Sequence, residues 1–225
     1  MLLRLPAVLT PDQLRGTQEL LARGRFVDGK LSAGSAAKRV KHNQELAADA
    51  AEIEQLNALV MNSLVRHSTY RSGALALRVA APYYARYTPG MQYGDHVDDP
   101  VMGAADGTPY RSDIAITIFL NPPEAYDGGE LVVRTAFGEQ HVKFAAGDGV
   151  LYPASSLHHV NPVTRGERLV AVTWVQSLIR DPAKRELLYE LNLAREQLLA
   201  RAPEAEETKR VNTAYVNLVR MWGEI

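Results

Sequence analysis

The sequence contains no cysteine. Disulfide frameworks, thiolate zinc sites, iron–sulfur clusters and cysteine nucleophiles are therefore excluded, and any metal must be held by imidazole and carboxylate. An excess of charge is also missing. Twenty-five Lys and Arg residues against 26 Asp and Glu leave a formal net charge of −1, which offers no bulk attraction to nucleic acid or to an anionic membrane. No apolar run approaches the roughly 20 residues of a membrane helix. The opening Met-Leu-Leu-Arg-Leu-Pro has too few apolar residues for a signal peptide and is broken at once by proline. The expectation is a cytoplasmic protein that engages neither membrane nor nucleic acid. One local basic run, Lys38-Arg39-Val40-Lys41-His42, reads as a solvated loop.

What is present is ordinary globular material: 225 residues, 46% hydrophobic and 23% charged, enough for one domain with a helical appendage. Thr10-Pro11-Asp12-Gln13 reads as a helix start, with a hydroxyl cap, proline at the first helical position and Gln13 closing a capping box. Gly24 ends that helix. Residues 28–44 look like loop, and a second helix is expected from Glu45 to about Val65, with Leu56, Leu59, Val60 and Leu64 on one face. After Gly73 the pattern changes to short runs rich in Val, Ile, Tyr and Thr, broken by Pro-Gly, Asp-Gly and Gly-Gly. These runs are Leu75–Ala81, Tyr83–Tyr87, Ile114–Leu120, Glu130–Thr135, Gln140–Phe144, Gly149–Tyr152 and Arg168–Gln176, a spacing that predicts a sandwich or barrel. From Asp181-Pro182 the chain is helical again. Val211, Tyr215, Leu218, Val219 and Trp222 form a stripe that must be buried on the β-core or on another subunit. The layout is α+β, with a helical segment over 1–72, a β-core over 73–180 and a helical extension over 181–225.

The chemistry concentrates in Tyr87-Thr88-Pro89-Gly90-Met91-Gln92-Tyr93-Gly94-Asp95-His96-Val97-Asp98. On extended chain, residues two apart share a face, so His96 and Asp98 project together; on a helix they would diverge. Asp95 and Asp99 have the opposite parity and face outward. Ser156-Leu157-His158-His159-Val160 offers a third ligand, and only one of the adjacent histidines can face a metal. Two histidines and a carboxylate are the set expected for non-haem iron(II), three of whose six positions stay open. Ten residues beyond His158, after turn-forming residues, comes Arg168, whose guanidinium can grip a carboxylate with two hydrogen bonds. Gly128-Gly129 reads as a tight turn, and Tyr93 as either cavity lining or core.

His96-x-Asp98, His158 and Arg168 together resemble the prolyl 4-hydroxylase-like iron(II)- and 2-oxoglutarate-dependent dioxygenases. The phrases Arg-Ser-Asp-Ile-Ala-Ile-Thr-Ile-Phe-Leu-Asn (111–121), Tyr-Asp-Gly-Gly-Glu-Leu (126–131) and Ser-Leu-His-His-Val-Asn-Pro-Val-Thr-Arg-Gly-Glu-Arg (156–168) resemble the bacterial PKHD-type hydroxylases in particular. The resemblance implies a double-stranded β-helix (jelly-roll) core. It selects His158 over His159, so that His96, Asp98 and His158 are the iron ligands, and it assigns Arg168 and Tyr87 to 2-oxoglutarate. It further implies dioxygen as co-substrate, ascorbate as accessory, and hydroxylation of an unidentified small-molecule or protein substrate coupled to decarboxylation of 2-oxoglutarate. A cupin-type enzyme would show His-x-His where this chain has His96-Val97-Asp98, and a hydrolytic zinc enzyme would have no use for Arg168. A non-catalytic sensor of iron or 2-oxoglutarate is the alternative from another class. The stretches 28–44 and 99–112, the latter with Gly103, Gly107 and Pro109, are expected as lids, and the C-terminal stripe as a homodimer contact.

Overall fold

The computed structural model describes residues 1–103 and 108–225. Two antiparallel sheets carry the core. The larger runs in the order Leu3–Leu5, Gly149–Pro153, Ile114–Phe119, Arg168–Ser177, Tyr83–Tyr87, Gln44–Leu46, Phe26–Asp28, with Ala76–Val79 added beside Arg168–Ser177. The smaller runs Gly138–Val142, Leu131–Thr135, His158–Val160, Gln92–His96, Lys41–His42.

Strand Ile114–Phe119 shows how the layers arise. All six of its residues are buried, because both of its faces are covered and side chains alternate between them. Ile114, Ile116 and Ile118 point to one cluster, where they meet Leu56, Val60, Leu64 and Tyr70 of the helical side. Ala115 and Phe119 point to the other, where they meet Leu131, Val133 and Val160 of the smaller sheet. Arg168–Ser177 follows the same rule. Arg168 and Val170 share the parity of Trp174 and face the space between the sheets, while Ala171 and Val175 pack under the helices.

Helix α1 (Pro11–Arg23) begins as the sequence predicts. Thr10 Oγ1 accepts from Gln13 N at 3.3 Å, Thr10 N donates to Gln13 Oε1 at 2.9 Å, and Gly24 caps the end. The expected helix over 45–65 is shorter at its start. Helix α2 spans Ile53–Leu64, and Gln44–Leu46 is instead a strand paired with Tyr83–Tyr87. Ladder hydrogen bonds and burial of alternate side chains there outweigh the modest helix propensity of the segment. The stretch 28–44, expected as loop, holds two 3₁₀ turns and the strand Lys41–His42, so the N-terminal part adds strands to both sheets as well as helices.

Helix α3 (Ser68–Ala74) precedes the core; α4 (Pro182–Arg201) and α5 (Glu206–Trp222) follow it. The α5 stripe is half-buried against α4, where the Arg195 guanidinium sits 4.9 Å from the Tyr215 ring centre and donates to Asn212 Oδ1 at 2.7 Å. The burial that the stripe demanded is thus met in part within the chain. Among the described residues no helix is long and apolar enough to cross a membrane.

Candidate active site

The pairing of Gln92–His96 with His158–Val160 puts His96 directly opposite His158. Their ring centres lie 4.2 Å apart. The strand ends at His96, yet the extended chain beyond it carries Asp98 back to the same point. Asp98 Oδ1 is 3.9 Å from His96 Nε2 and 3.7 Å from His158 Nε2. Within the described residues this trio forms a cluster able to hold a metal ion.

The hydrogen bonds decide what the imidazoles offer. His96 Nδ1 lies 2.8 Å from Gly94 O, and His158 Nδ1 lies 2.9 Å from Ser156 O. A carbonyl oxygen only accepts, so each Nδ1 carries a proton, and Nε2, turned toward Asp98, is the atom that offers a lone pair whenever the ring is neutral. Lone pairs facing a carboxylate oxygen repel one another unless a cation stands between them. Neighbouring ligand atoms about 2.1 Å from a six-coordinate ion lie roughly 3 Å apart, so the three groups would draw together by somewhat under about 1 Å to seat one. The donor set therefore fits iron(II).

Burial pushes His96 down to about 3, with a further push from His158, and it raises the Asp98 carboxyl above its ordinary value. His96 is consequently neutral and ready to ligate. The depressed value has a measurable consequence for the metal-free protein. Between the ordinary 6.5 and about 3, the unfolded chain binds a proton that the folded chain refuses. The His96 contribution to stability is therefore at its full value above 6.5 and is lost as pH falls through that window, with the raised Asp98 carboxyl acting in the opposite sense at its lower end. Chemical denaturation of metal-free protein across this range should show the loss, and His96→Gln should flatten it.

His159 points away, as alternation requires. Its Nδ1 meets Asp95 Oδ1 at 2.8 Å and its Nε2 meets Asn161 Oδ1 at 3.1 Å. Asp95 also pairs with Arg134 at 2.9 Å. Asp99 is exposed, as its parity predicts, but lies at the cavity mouth.

Arg168 is 1% exposed, a cation taken out of water without a carboxylate. Among the described residues its Nε and Nη1 have no hydrogen-bond partner, and the guanidinium lies 4.9 Å from the ring centre of Tyr87, its cross-strand neighbour. The buried Tyr126 ring stands beside it. An isolated buried charge is costly, so this arrangement asks for an anion. Gly129 makes the space. At φ +67° its backbone approaches so closely that a Cβ would sit 3.0 Å from Arg168 Cδ and 3.1 Å from Tyr126 Cε2. Gly129→Ala should cost roughly 1–2 kcal/mol from the backbone alone, read by denaturation, and would press on the Arg168 stem.

The triad, Tyr87 and Arg168 all line one cavity of about 1020 Å³. Burial holds the Tyr87 and Tyr152 phenols above their ordinary value and so un-ionised. Tyr93 lines the cavity and stacks on His96 at 3.6 Å with an 11° tilt, and Tyr152 meets His158 edge-on at 5.1 Å. Both stretches expected as lids contribute to the mouth, through Ser32 and Gly34 from one and Val101 and Met102 from the other. Gly107 lies outside the described residues.

Two features escaped sequence reasoning. Lys41, expected in a solvated loop, is 7% exposed and bonds Glu45 Oε1 at 2.5 Å and Ser32 Oγ at 3.0 Å. The uniformly polar run Lys41-His42-Asn43-Gln44-Glu45 carries no sequence signal of the alternate burial that the structure shows. The second is Trp174, whose Nε1 donates to Asp98 Oδ2 at 2.9 Å. Its even spacing from Arg168 along one strand was the clue.

Residues 82–176 match the 2OG-Fe(II) oxygenase superfamily, and residues 182–224 match the PKHD-type hydroxylase C-terminal domain. A PKHD-type hydroxylase of Thioalkalivibrio sulfidiphilus is 51% identical over 225 residues, covering 100% of both chains. The chain belongs to the PKHD-type hydroxylases. Another, from Acaryochloris marina, is 44% identical over 224 residues with 100% of both chains covered. This PKHD-type chain is therefore a 2-oxoglutarate-dependent dioxygenase that uses iron(II) and 2-oxoglutarate. Its fold is the jelly-roll type of that superfamily. A prolyl hydroxylase from Trichoplax adhaerens, solved with a hypoxia inducible factor peptide fragment, aligns with TM-score 0.56 at 17% identity, covering 83% of this chain and 86% of that one. A Pseudomonas putida prolyl-4-hydroxylase aligns with TM-score 0.52 at 22% identity, covering 78% and 92%. At these identities the likeness speaks to fold.

Proposed function

We propose that the enzyme hydroxylates a C–H bond of its substrate, with His96, Asp98 and His158 as the iron ligands and Arg168 and Tyr87 as the binding residues for 2-oxoglutarate. One observation carries this reading: a triad with two lone pairs and a carboxylate turned inward shares a cavity with a buried guanidinium that has two free N–H groups. Iron(II) supplies, when bound, the chemistry that turns 2-oxoglutarate and dioxygen into succinate and carbon dioxide while substrate C–H becomes C–OH.

The chain's own contributions follow from its side chains. Arg168 pairs with the far carboxylate of 2-oxoglutarate, and its burial strengthens that pairing by excluding water. Tyr87 flanks the guanidinium, and its un-ionised hydroxyl adds a donor near the co-substrate. Gly94 O and Ser156 O hold the imidazoles in the ligating tautomer. The core is read as a double-stranded β-helix over 73–180, with 1–72 packed on it and 181–225 as helical extension. This is supported by the two facing antiparallel sheets and by the separate match over 182–224. Ascorbate as accessory rests on family likeness. A homodimer through the C-terminal helices is supported by the α5 stripe of Val211, Tyr215, Leu218, Val219 and Trp222, which stays half-buried, and a monomeric mass in solution removes it.

The test is anaerobic titration with iron(II) and then 2-oxoglutarate, watched for the weak visible charge-transfer band of a chelated keto acid, followed by succinate assay in air. A band with succinate formation supports the reading. Iron binding without a band overturns it, and a band with no succinate under any substrate trial leaves a sensor.

A further inference from the structure

We propose that Trp174 is a positioning residue that ties one oxygen of Asp98, so that only the other faces the two histidines. The inference rests on the reading of His96, Asp98 and His158 as metal ligands. The indole Nε1 donates to Oδ2 at 2.9 Å, whereas Oδ1 is the oxygen 3.9 Å and 3.7 Å from the histidine nitrogens. A free carboxylate can bind an ion through one oxygen or through both. An indole N–H is a donor with no acceptor lone pair, so it can hold Oδ2 without competing for a cation.

The anchor itself is fixed. Trp174 pairs across the sheet with Ala115, its carbonyl accepts from Ala80 N at 3.0 Å, and the Tyr83 ring meets it at 5.8 Å and 75°. It stands on the inward face of the same strand as Arg168. A single strand therefore positions both the ligand carboxylate and the group that receives the co-substrate's carboxylate.

The consequence is a count of open positions. Three protein atoms on a six-coordinate ion leave three positions, two for a chelating keto acid and one for dioxygen. A two-oxygen Asp98 would take a fourth and leave no position for dioxygen once the keto acid has bound. Trp174 thus preserves the vacancy on which reactivity depends.

The test uses wild-type protein labelled with ¹⁵N and zinc(II) as a diamagnetic probe. The chain has two tryptophans, so the indole region holds two signals, and Trp222→Phe assigns them. The Trp174 indole proton should be shifted downfield and slow to exchange, and should stay so when zinc is added. Movement upfield with fast exchange on metal loading would mean that Oδ2 has left the indole, and would overturn the proposal. In a second arm, Trp174→Phe should weaken iron(II) binding roughly 10–100-fold, the usual effect of removing an outer partner of a ligand, and should diminish the charge-transfer band. A Phe variant equal to wild type in both would also overturn it. Asp98→Ala separates the two levels: if that variant keeps wild-type iron affinity, the ligand reading has failed, and not the role of Trp174.

Discussion

Asp98→Ala should abolish the charge-transfer band with 2-oxoglutarate and stop succinate formation, because it removes the only anionic ligand of the trio. The loss of iron(II) affinity should exceed the about 10–100-fold typical of outer-sphere changes, since two neutral imidazoles would be left to hold a dication. The metal-free variant should nonetheless fold. Burial already disfavours the Asp98 carboxylate, which is why its carboxyl is raised, and taking that group away relieves the disfavour. Among the described residues, the side-chain hydrogen bond it loses is the one from Trp174. Calorimetric iron titration beside a thermal melt distinguishes these effects. Intact iron binding in a folded Asp98→Ala protein would sink the triad assignment.

The second large effect is expected at Arg168. Arg168→Met keeps most of the side chain's volume and removes the charge. Truncating one partner of a buried charge pair costs about 2–5 kcal/mol, so 2-oxoglutarate affinity should fall by between roughly 30-fold and several thousand-fold. The same variant, free of metal and co-substrate, should melt above wild type. In the unliganded enzyme, Arg168 Nε and Nη1 have no partner and the residue is 1% exposed, a state that an apolar side chain relieves. A residue that serves only the fold would move both readings downward together. Opposite signs, with weaker binding and a higher melting temperature, mark one held in place for a ligand. If the variant binds 2-oxoglutarate as wild type does, the anion is bound elsewhere.

Much of the site was legible in the residues alone. His96 and Asp98 two apart, His158 over its neighbour by likeness, and Arg168 ten residues on are local facts of spacing. Strand parity turns such spacing into direction, which set Asp95 outside and left room for only one of His158 and His159, the likeness choosing His158. The capping box at Thr10 was readable because it is satisfied within one turn of helix, and the α5 stripe because helical periodicity shows which side needs cover, though not that α4 supplies it.

What the sequence determined, then, is whatever depends on neighbours along the chain: the absence of thiol chemistry, the ligand types, the alternation that aims them and the caps that start helices. Tertiary structure alone decided which distant segments meet. Strand Gln44–Leu46 overrode a helix-compatible stretch because its partner, Tyr83–Tyr87, lies forty residues away in the chain. Pairing with remote strands also turned Lys41, expected in a solvent loop, and Glu45, expected at a helix start, into a buried ion pair, and brought Trp174 onto Asp98 across 76 residues of sequence. Contacts of that kind form because the sheets must bury both faces of their central strands. The burial energy that selects them is a property of the whole packed core, and no short window of sequence encodes it.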